Sequence, residues 1–242
     1  MDSGKHFLSR ENCVNCGKCC QTHCGSLEMF GYEISAPEVI AKVLEDKPFY
    51  EPEGGMTLSG GEPLFQLDFC LDLLMLAKKN GIHTCMETCG FATKEAILKT
   101  AEYTDLYLFD YKETDPLLHK EFTGVDNTQI LSNLYALDQL GKKIILRCPM
   151  IPNYNTRSEH FAGIGKLAAS LKHLERIEPE PYHSLGVQKY NHLGREYSLN
   201  TYTPSKDEME RWKKDISAYF TRFFEKNVGI TPGTFKKQTV IY

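Results

Sequence analysis

Several features are missing from this sequence, and each absence removes a class of function. There is no apolar run near the roughly 18 residues that a membrane span requires, and the opening stretch MDSGKHFLSREN has no apolar segment of the secretory kind. The expectation is a cytoplasmic protein with no membrane partner. Basic residues do not predominate, since 28 Lys and Arg stand against 32 Asp and Glu for a net charge of -4. No bulk positive field is available for a nucleic-acid backbone, and no nucleic-acid partner is expected. The nine cysteines are odd in number, and four of them (Cys70, Cys85, Cys89, Cys148) are scattered. That is not the even, compact set of a secreted disulfide framework.

Hydrophobic residues make up 41% and charged residues 25% of the chain, as in soluble globular proteins and unlike disordered or coiled-coil sequences. At roughly 100 to 200 residues per domain, the 242 residues allow one large domain or one domain with a small appendage. The other five cysteines, Cys13, Cys16, Cys19, Cys20 and Cys24, crowd into one short segment. Residues 1–33 are therefore expected to form an incomplete, ferredoxin-like cysteine-rich segment, and 34–242 the main domain.

Beyond residue 34, short apolar runs alternate with longer amphipathic stretches, the pattern of repeated βα units around a parallel sheet. Strands are expected at Met56–Leu58, Ile82–Met86, Leu106–Phe109, Ile144–Cys148 and Leu174–Ile177, the last weakened by Glu178, Pro179 and Pro181. Helices are expected behind the capping box Ser35-Ala36-Pro37-Glu38, over Leu67–Lys79, Lys94–Tyr103, Gln129–Leu140 and Phe161–Lys172, and from the capping box Ser205-Lys206-Asp207-Glu208 to about residue 225. Strand starts recur at about 25 to 35 residues, as in successive units of a (β/α) barrel. Five units predict a partial, open barrel rather than a closed one. Ligands bind at the carboxyl ends of strands in such folds, and SGGEP, ETCG, DYK, LRCP and PYH all fall at expected strand ends.

Cys13, Cys16, Cys20 (or Cys19 in its place) and Cys24 have the close spacing of ligands to a 4Fe-4S cluster, although the ferredoxin run C-x2-C-x2-C-x3-C-P is missed by one residue. Tetrahedral zinc is the rival, because four thiolates satisfy it equally. In SGGEP, Gly60 and Gly61 can let backbone approach a ligand closely, with Glu62 as a charged neighbour, or can simply form a tight turn. Glu87, Thr88 and Asp110 end adjacent strands, so their oxygens can converge on a small cation or only cap helices. Lys112 is free for a ligand carboxylate or for Asp110. Arg147 points at the same rim if alternation holds, and His183 follows a strand on a Pro-Tyr-His turn.

These residues, in this order, resemble the activating enzymes of glycyl radical enzymes, a branch of the radical S-adenosylmethionine family typified by pyruvate formate-lyase activating enzyme. GGMTLSGGEPLFQ from Gly54, ETCG from Glu87, LFDYK from Leu108, HKEFTGVDN from His119, LRCPMIPNYN from Leu146 and PYHSLGVQKYNHLGREY from Pro181 carry the resemblance. It implies a partial radical S-adenosylmethionine barrel in which Gly60 and Gly61 meet the methionyl amino group of S-adenosylmethionine. Glu62 would be a further cofactor-binding residue, Lys112 would meet the carboxylate, and His183 would lie beside ribose and adenine. Glu87, Thr88 and Asp110 match positions that bind a monovalent cation, and Arg147 matches an active-site arginine. The implied reaction is reductive cleavage of S-adenosylmethionine at a 4Fe-4S cluster, with hydrogen abstraction from a backbone glycine of a partner enzyme; a flavodoxin or ferredoxin-type protein would donate the electron.

The catalytic C-x3-C-x2-C of that family does not occur in the sequence. Cys16-x3-Cys20 would need a cysteine where His23 stands, and Cys85-x3-Cys89 one where Ala92 stands. The expectation is an activase lacking its amino-terminal segment and first strand, with one auxiliary 4Fe-4S quartet. Two alternatives stay open: a non-catalytic iron-sulfur or electron-carrying remnant, and a zinc-stabilised structural module.

Overall fold

A computed structural model describes residues 9–14, 16–21, 27–29, 31–50 and 54–233, with the backbone of 240–241. The chain divides into two units. The first takes the described residues up to Ser35 with Leu185–Ser198, and the second takes Ala36–Ser184 with the residues from Leu199 onward.

In the second unit the strands β1 (Gly55–Leu58), β2 (His83–Thr88), β3 (Leu106–Asp110), β4 (Lys143–Met150), β5 (Leu174–Pro181) and β6 (Val240–Ile241) form one sheet in sequential order. All neighbours pair parallel. The helices are α1 (Ala36–Glu45), α2 (Leu67–Lys79), α3 (Lys94–Ala101), α4 (Pro116–Thr123), α5 (Thr128–Gln139), α6 (Ser158–Ser170) and α8 (Lys206–Val228). The five expected strands and their helices are present, so the fold is the expected α/β one. The sheet stays open, because β1 and β6 have no pairing with each other among the described residues.

Two expectations need correction. Beyond the five expected strands there is a sixth, β6, whose two residues are too short to show a period. And β5 is not broken by its prolines; it runs through Pro181. In a parallel strand the N–H groups of alternate residues point to opposite neighbours. Tyr182 N–H donates to Met150 O of β4 at 3.1 Å, so residues of even number direct their donors toward β4. Pro179 and Pro181 face the other side, where β6 pairs only with Arg176 and Ile177, and their missing N–H groups cost no described ladder bond.

The same alternation divides the sheet's faces. Met86, Tyr107, Phe109, Ile144, Leu146, Cys148 and Ile177 are 0% exposed and pack with Leu74, Ile97, Leu134, Ile164 and Ile216 from the helices. Each fully buried large apolar side chain contributes about 1.5–3 kcal/mol. A smaller cluster under α1 joins Ile40 to Met56, Leu73 and Ile82.

The first unit holds two 3-10 turns, Arg10–Asn12 and Lys18–Gln21, and the helix α7 (Val187–His192). Arg10 donates to His192 O, and the rings of Tyr190 and Tyr197 meet edge to face at 5.1 Å. No described residue of this unit is buried.

Candidate functional site

Register places the charged residues of the strands on one face. Glu87 pairs with Leu108, two residues before Asp110; Asp110 pairs with Arg147; Arg147 pairs with Glu178, two residues before Glu180. Because residues two apart share a face, Glu87, Asp110, Arg147, Glu178 and Glu180 all stand on the side opposite the packed core. Glu87 and Asp110 lie at the carboxyl ends of their strands, the rim expected from the loops; Arg147 and Glu178 are level with them but mid-strand, because β4 and β5 run on to Met150 and Pro181, so LRCP is not a strand end as expected.

Arg147 is the centre of this face. Its Nη1 is 2.6 Å from Glu87 Oε1, its Nε donates to Glu180 Oε1 at 2.7 Å and its Nη2 to Glu180 Oε2 at 2.5 Å. The fork-to-fork pairing with Glu180 is the strong, orienting kind, and it raises the affinity of the guanidinium for its proton despite burial. Ser59 Oγ donates to the remaining Glu87 oxygen at 2.7 Å. Asp110 sits beside this array with its carboxyl pushed up to about 6, chiefly by burial; Lys112 and Arg147 oppose the shift, and Glu87 and Glu180 add to it.

The loop after β1 turns at Gly60, whose φ of 125° excludes other residues without strain. A Cβ on Gly60 or Gly61 would meet no atom within 4 Å, so the space over both glycines is open. Glu62 closes the loop from below. One of its oxygens accepts from Thr88 Oγ1 at 2.7 Å and Leu64 N at 3.3 Å, and the other from Cys89 N at 2.9 Å and Cys89 Sγ at 3.1 Å. Burial, and then the Glu62 carboxylate, push the Cys89 thiol up. Gly90 follows with φ of 72°, and a Cβ there would fall 2.2 Å from Phe109 Cζ, so ETCG requires a glycine at its last position.

After β3 the chain is pinned around Lys112. Asn155 Nδ2 donates to Lys112 O at 2.9 Å and Pro149 O at 2.7 Å; Asn127 Nδ2 donates to Glu113 O and Thr114 O at 3.1 Å each. The Lys112 side chain itself takes no hydrogen bond or ion pair among the described residues, and its charge opposes the upward shifts of Asp110 and Cys89. Glu113 is 1% exposed and pairs with Arg157 at 2.6 Å. Burial would raise its carboxyl, but hydrogen bonds from His160, Arg157 and the Asp115 N–H outweigh it and hold the group at about 2.

The structure thus brings Gly60, Gly61, Glu62, Glu87, Thr88, Asp110 and Lys112 to adjacent strand ends, with Arg147 level with them. The side-chain oxygens of Glu87 and of Thr88 already have protein partners, and among the described residues no three His, Cys, Asp or Glu side chains are placed to hold a metal ion. His183 is exposed at the end of β5. In the other unit, desolvation and then the neighbouring Cys19, Cys13 and Cys16 push the Cys20 thiol up, yet the described cysteines are not placed to hold a metal ion. Cys24 lies outside the described residues. Sequence reasoning missed Glu180 and the Glu113, Arg157 and His160 group. Strand alternation from Arg147 and Glu178 could have found Glu180, whereas the buried group joins Glu113 to Arg157, 44 positions on, and to His160 beyond it and leaves no local signal.

The sequence model of the family described as "Radical SAM superfamily" matches residues 13–163. The chain is 37% identical to the choline trimethylamine-lyase activating enzyme of Oleidesulfovibrio alaskensis over 80% of its own length and 64% of that protein's. It is 36% identical to the pyruvate formate-lyase-activating enzyme of Streptococcus mutans over 75% of its own length and 72% of the relative's. A crystal structure of a domain of pyruvate-formate lyase-activating enzyme from Bacteroides vulgatus superposes with a TM-score of 0.58 at 28% identity, covering 69% of this chain and 94% of that one. The chain therefore spans less than two thirds of the choline relative's length.

Proposed function

Because the chain belongs to the radical SAM superfamily, among relatives that activate glycyl radical enzymes, we propose that it is part of an activating enzyme that installs a glycyl radical on a partner protein. The observation that carries this reading is the half-open face on which Arg147, Glu87 and Glu180 form one array beside Asp110 and the unpaired amine of Lys112. S-adenosylmethionine fits there by the chemistry of the donors. The open space over Gly60 and Gly61 accepts its amino group against backbone, Lys112 takes its carboxylate, and His183 stands at the rim for ribose and adenine. When bound at a 4Fe-4S cluster, S-adenosylmethionine supplies the radical chemistry. The residues of this chain orient it, keep water from it and offer Arg147 to the incoming peptide. The monovalent cation expected at Asp110, Glu87 and Thr88 fits this arrangement less well, because Thr88 turns its hydroxyl to Glu62 on the core side and both Glu87 oxygens are engaged by Ser59 and Arg147. An electron donor of the flavodoxin or ferredoxin type and a cytoplasmic location belong to the same reading.

Within these 242 residues there is no C-x3-C-x2-C, so an open iron for S-adenosylmethionine has no ligand set in this chain. The expected outcome is that the chain, reconstituted anaerobically with iron and sulfide and reduced with dithionite, forms no 5'-deoxyadenosine by itself. It does so once a C-x3-C-x2-C segment from a relative is fused ahead of it. Product from the 242 residues alone would overturn the ligand argument, and none from the fusion would favour the non-catalytic iron-sulfur reading instead.

A further inference from the structure

Lys112 presents an unusual contrast. Its amine is unpaired among the described residues, while almost every backbone group around it is tied down. Tyr111 N–H donates to Arg147 O at 2.7 Å, and Asn155 holds Lys112 O. On the other side, a single oxygen of Glu113 gathers the Thr114 N–H at 2.7 Å, the Asp115 N–H at 2.8 Å and Arg157 Nη2 at 2.6 Å. His160, 0% exposed, places Nδ1 3.2 Å from Thr114 N and 3.5 Å from the same Glu113 oxygen. Burying such a carboxylate is costly unless its partners are many and well aimed. Here the other oxygen, Glu113 Oε2, and the outer nitrogen, His160 Nε2, are buried without hydrogen-bond partners among the described residues, which adds to that cost.

A buried charged group that is fully engaged on one oxygen and orphaned on the other is poorly suited to stabilisation alone, since apolar residues of similar volume generally serve that purpose at least as well. Its donors, Thr114 N–H and Oγ1, Asp115 N–H and Arg157 Nη2, come from the turn that follows Lys112 and from the residue that opens α6, while His160 Nδ1 accepts from the same Thr114 N–H. What it fixes is therefore the path of the chain leaving β3, and with it the origin of the Lys112 side chain. A lysine has four rotatable bonds and loses much entropy on binding an anion, so fixing its backbone leaves only the side chain to be ordered.

We infer that Glu113, Arg157 and His160 form a positioning device for Lys112, setting how tightly the site holds the carboxylate of its ligand. The inference rests on the reading that Lys112 meets the carboxylate of S-adenosylmethionine. It adds three residues, none of which faces the site, to those that determine binding.

A double-mutant cycle tests it, with labelled S-adenosylmethionine as the probe in equilibrium dialysis against the full chain fused behind a relative's C-x3-C-x2-C segment and reconstituted with iron and sulfide. Lys112→Ala is expected to weaken binding by about tenfold or more, and Glu113→Gln by about tenfold, the range found for groups that hold a liganding side chain in place. The decisive result is coupling: in the Lys112→Ala background, Glu113→Gln is expected to cost nothing further. Hydrogen exchange of the amides of residues 111–115 is expected to speed up in Glu113→Gln and stay unchanged in Lys112→Ala. Arg157→Lys, altered at a side chain 28% exposed, carries the same cycle if Glu113→Gln does not fold. Two failures are distinguishable. If wild type shows no saturable binding, or Lys112→Ala binds as wild type does, the reading of Lys112 is wrong and the inference goes with it. If Lys112→Ala weakens binding while Glu113→Gln does not, or the two losses simply add, the group is structural only and the inference alone is overturned.

Discussion

Asp110 shares the half-open sheet face with Glu87, Arg147 and Glu180, and its surroundings decide its charge. Burial raises its carboxyl from 3.8 to about 6, because the cations Lys112 and Arg147 only partly offset the loss of water. A folded-state pKa above the unfolded one means that the native protein binds this proton more tightly. The native state is then favoured at low pH, and that advantage is lost as pH rises from about 4 to about 6. Asp110→Asn removes the titration. Denaturant midpoints of wild type and variant at pH 4, 6 and 8 are expected to show the variant gaining on the order of 2 kcal/mol relative to wild type across that window. A difference that stays constant with pH would mean that Asp110 is solvated and ionised like any surface carboxylate. Glu113 runs the opposite way. Its carboxyl is held at about 2, so its contribution is complete above the ordinary glutamate range and is lost only in strong acid.

At the level of elements, legibility followed how local the cause was. The capping box of α8 is formed as the sequence pattern predicts: Ser205 Oγ accepts the Glu208 N–H at 3.3 Å and Glu208 accepts the Ser205 N–H at 2.9 Å. Both partners lie three residues apart, so the signal was on the page. The helix α4, for which no helix was expected, has signals that are equally local. Asp115 accepts from Leu117 N and Leu118 N, Pro116 opens the first turn, and Gly124 ends the helix with φ of 88°. The length of β5 was not readable, since it depends on which neighbour each proline faces. α8 also shows which interaction dominates. Met209, Trp212, Ile216, Phe220 and Phe224 make one buried stripe. Ser205→Ala is expected to cost about 1 kcal/mol and Phe220→Ala about 3–5 kcal/mol. Urea unfolding of both variants checks the order, and a larger loss from Ser205→Ala would mean that the cap, rather than the apolar stripe, anchors the helix.

Across the whole molecule the two units differ in what can stabilise them. The sheet unit has a continuous core from Leu64 to Phe224, and that much was visible in the alternation of apolar runs. The other unit has no buried residue among those described, and small units without a core are commonly held by metal or disulfide cross-links. Its described cysteines form no disulfide, with Cys16 and Cys19 exposed and Cys13 and Cys20 partly covered. If a metal holds this segment through its cysteines, binding free energy is also folding free energy, although among the described residues no three His, Cys, Asp or Glu side chains are placed to hold one. On this account Cys13→Ser and Cys16→Ser lower the iron bound after anaerobic reconstitution and open the segment to limited proteolysis. Cys70→Ser, altered at a 3% exposed position in the sheet unit's core, leaves iron unchanged. About four irons per chain in wild type excludes a zinc-only site. Equal iron in all three variants would remove the cysteine segment as the cluster's holder, and zinc in place of iron would return it to the structural role that four thiolates also permit.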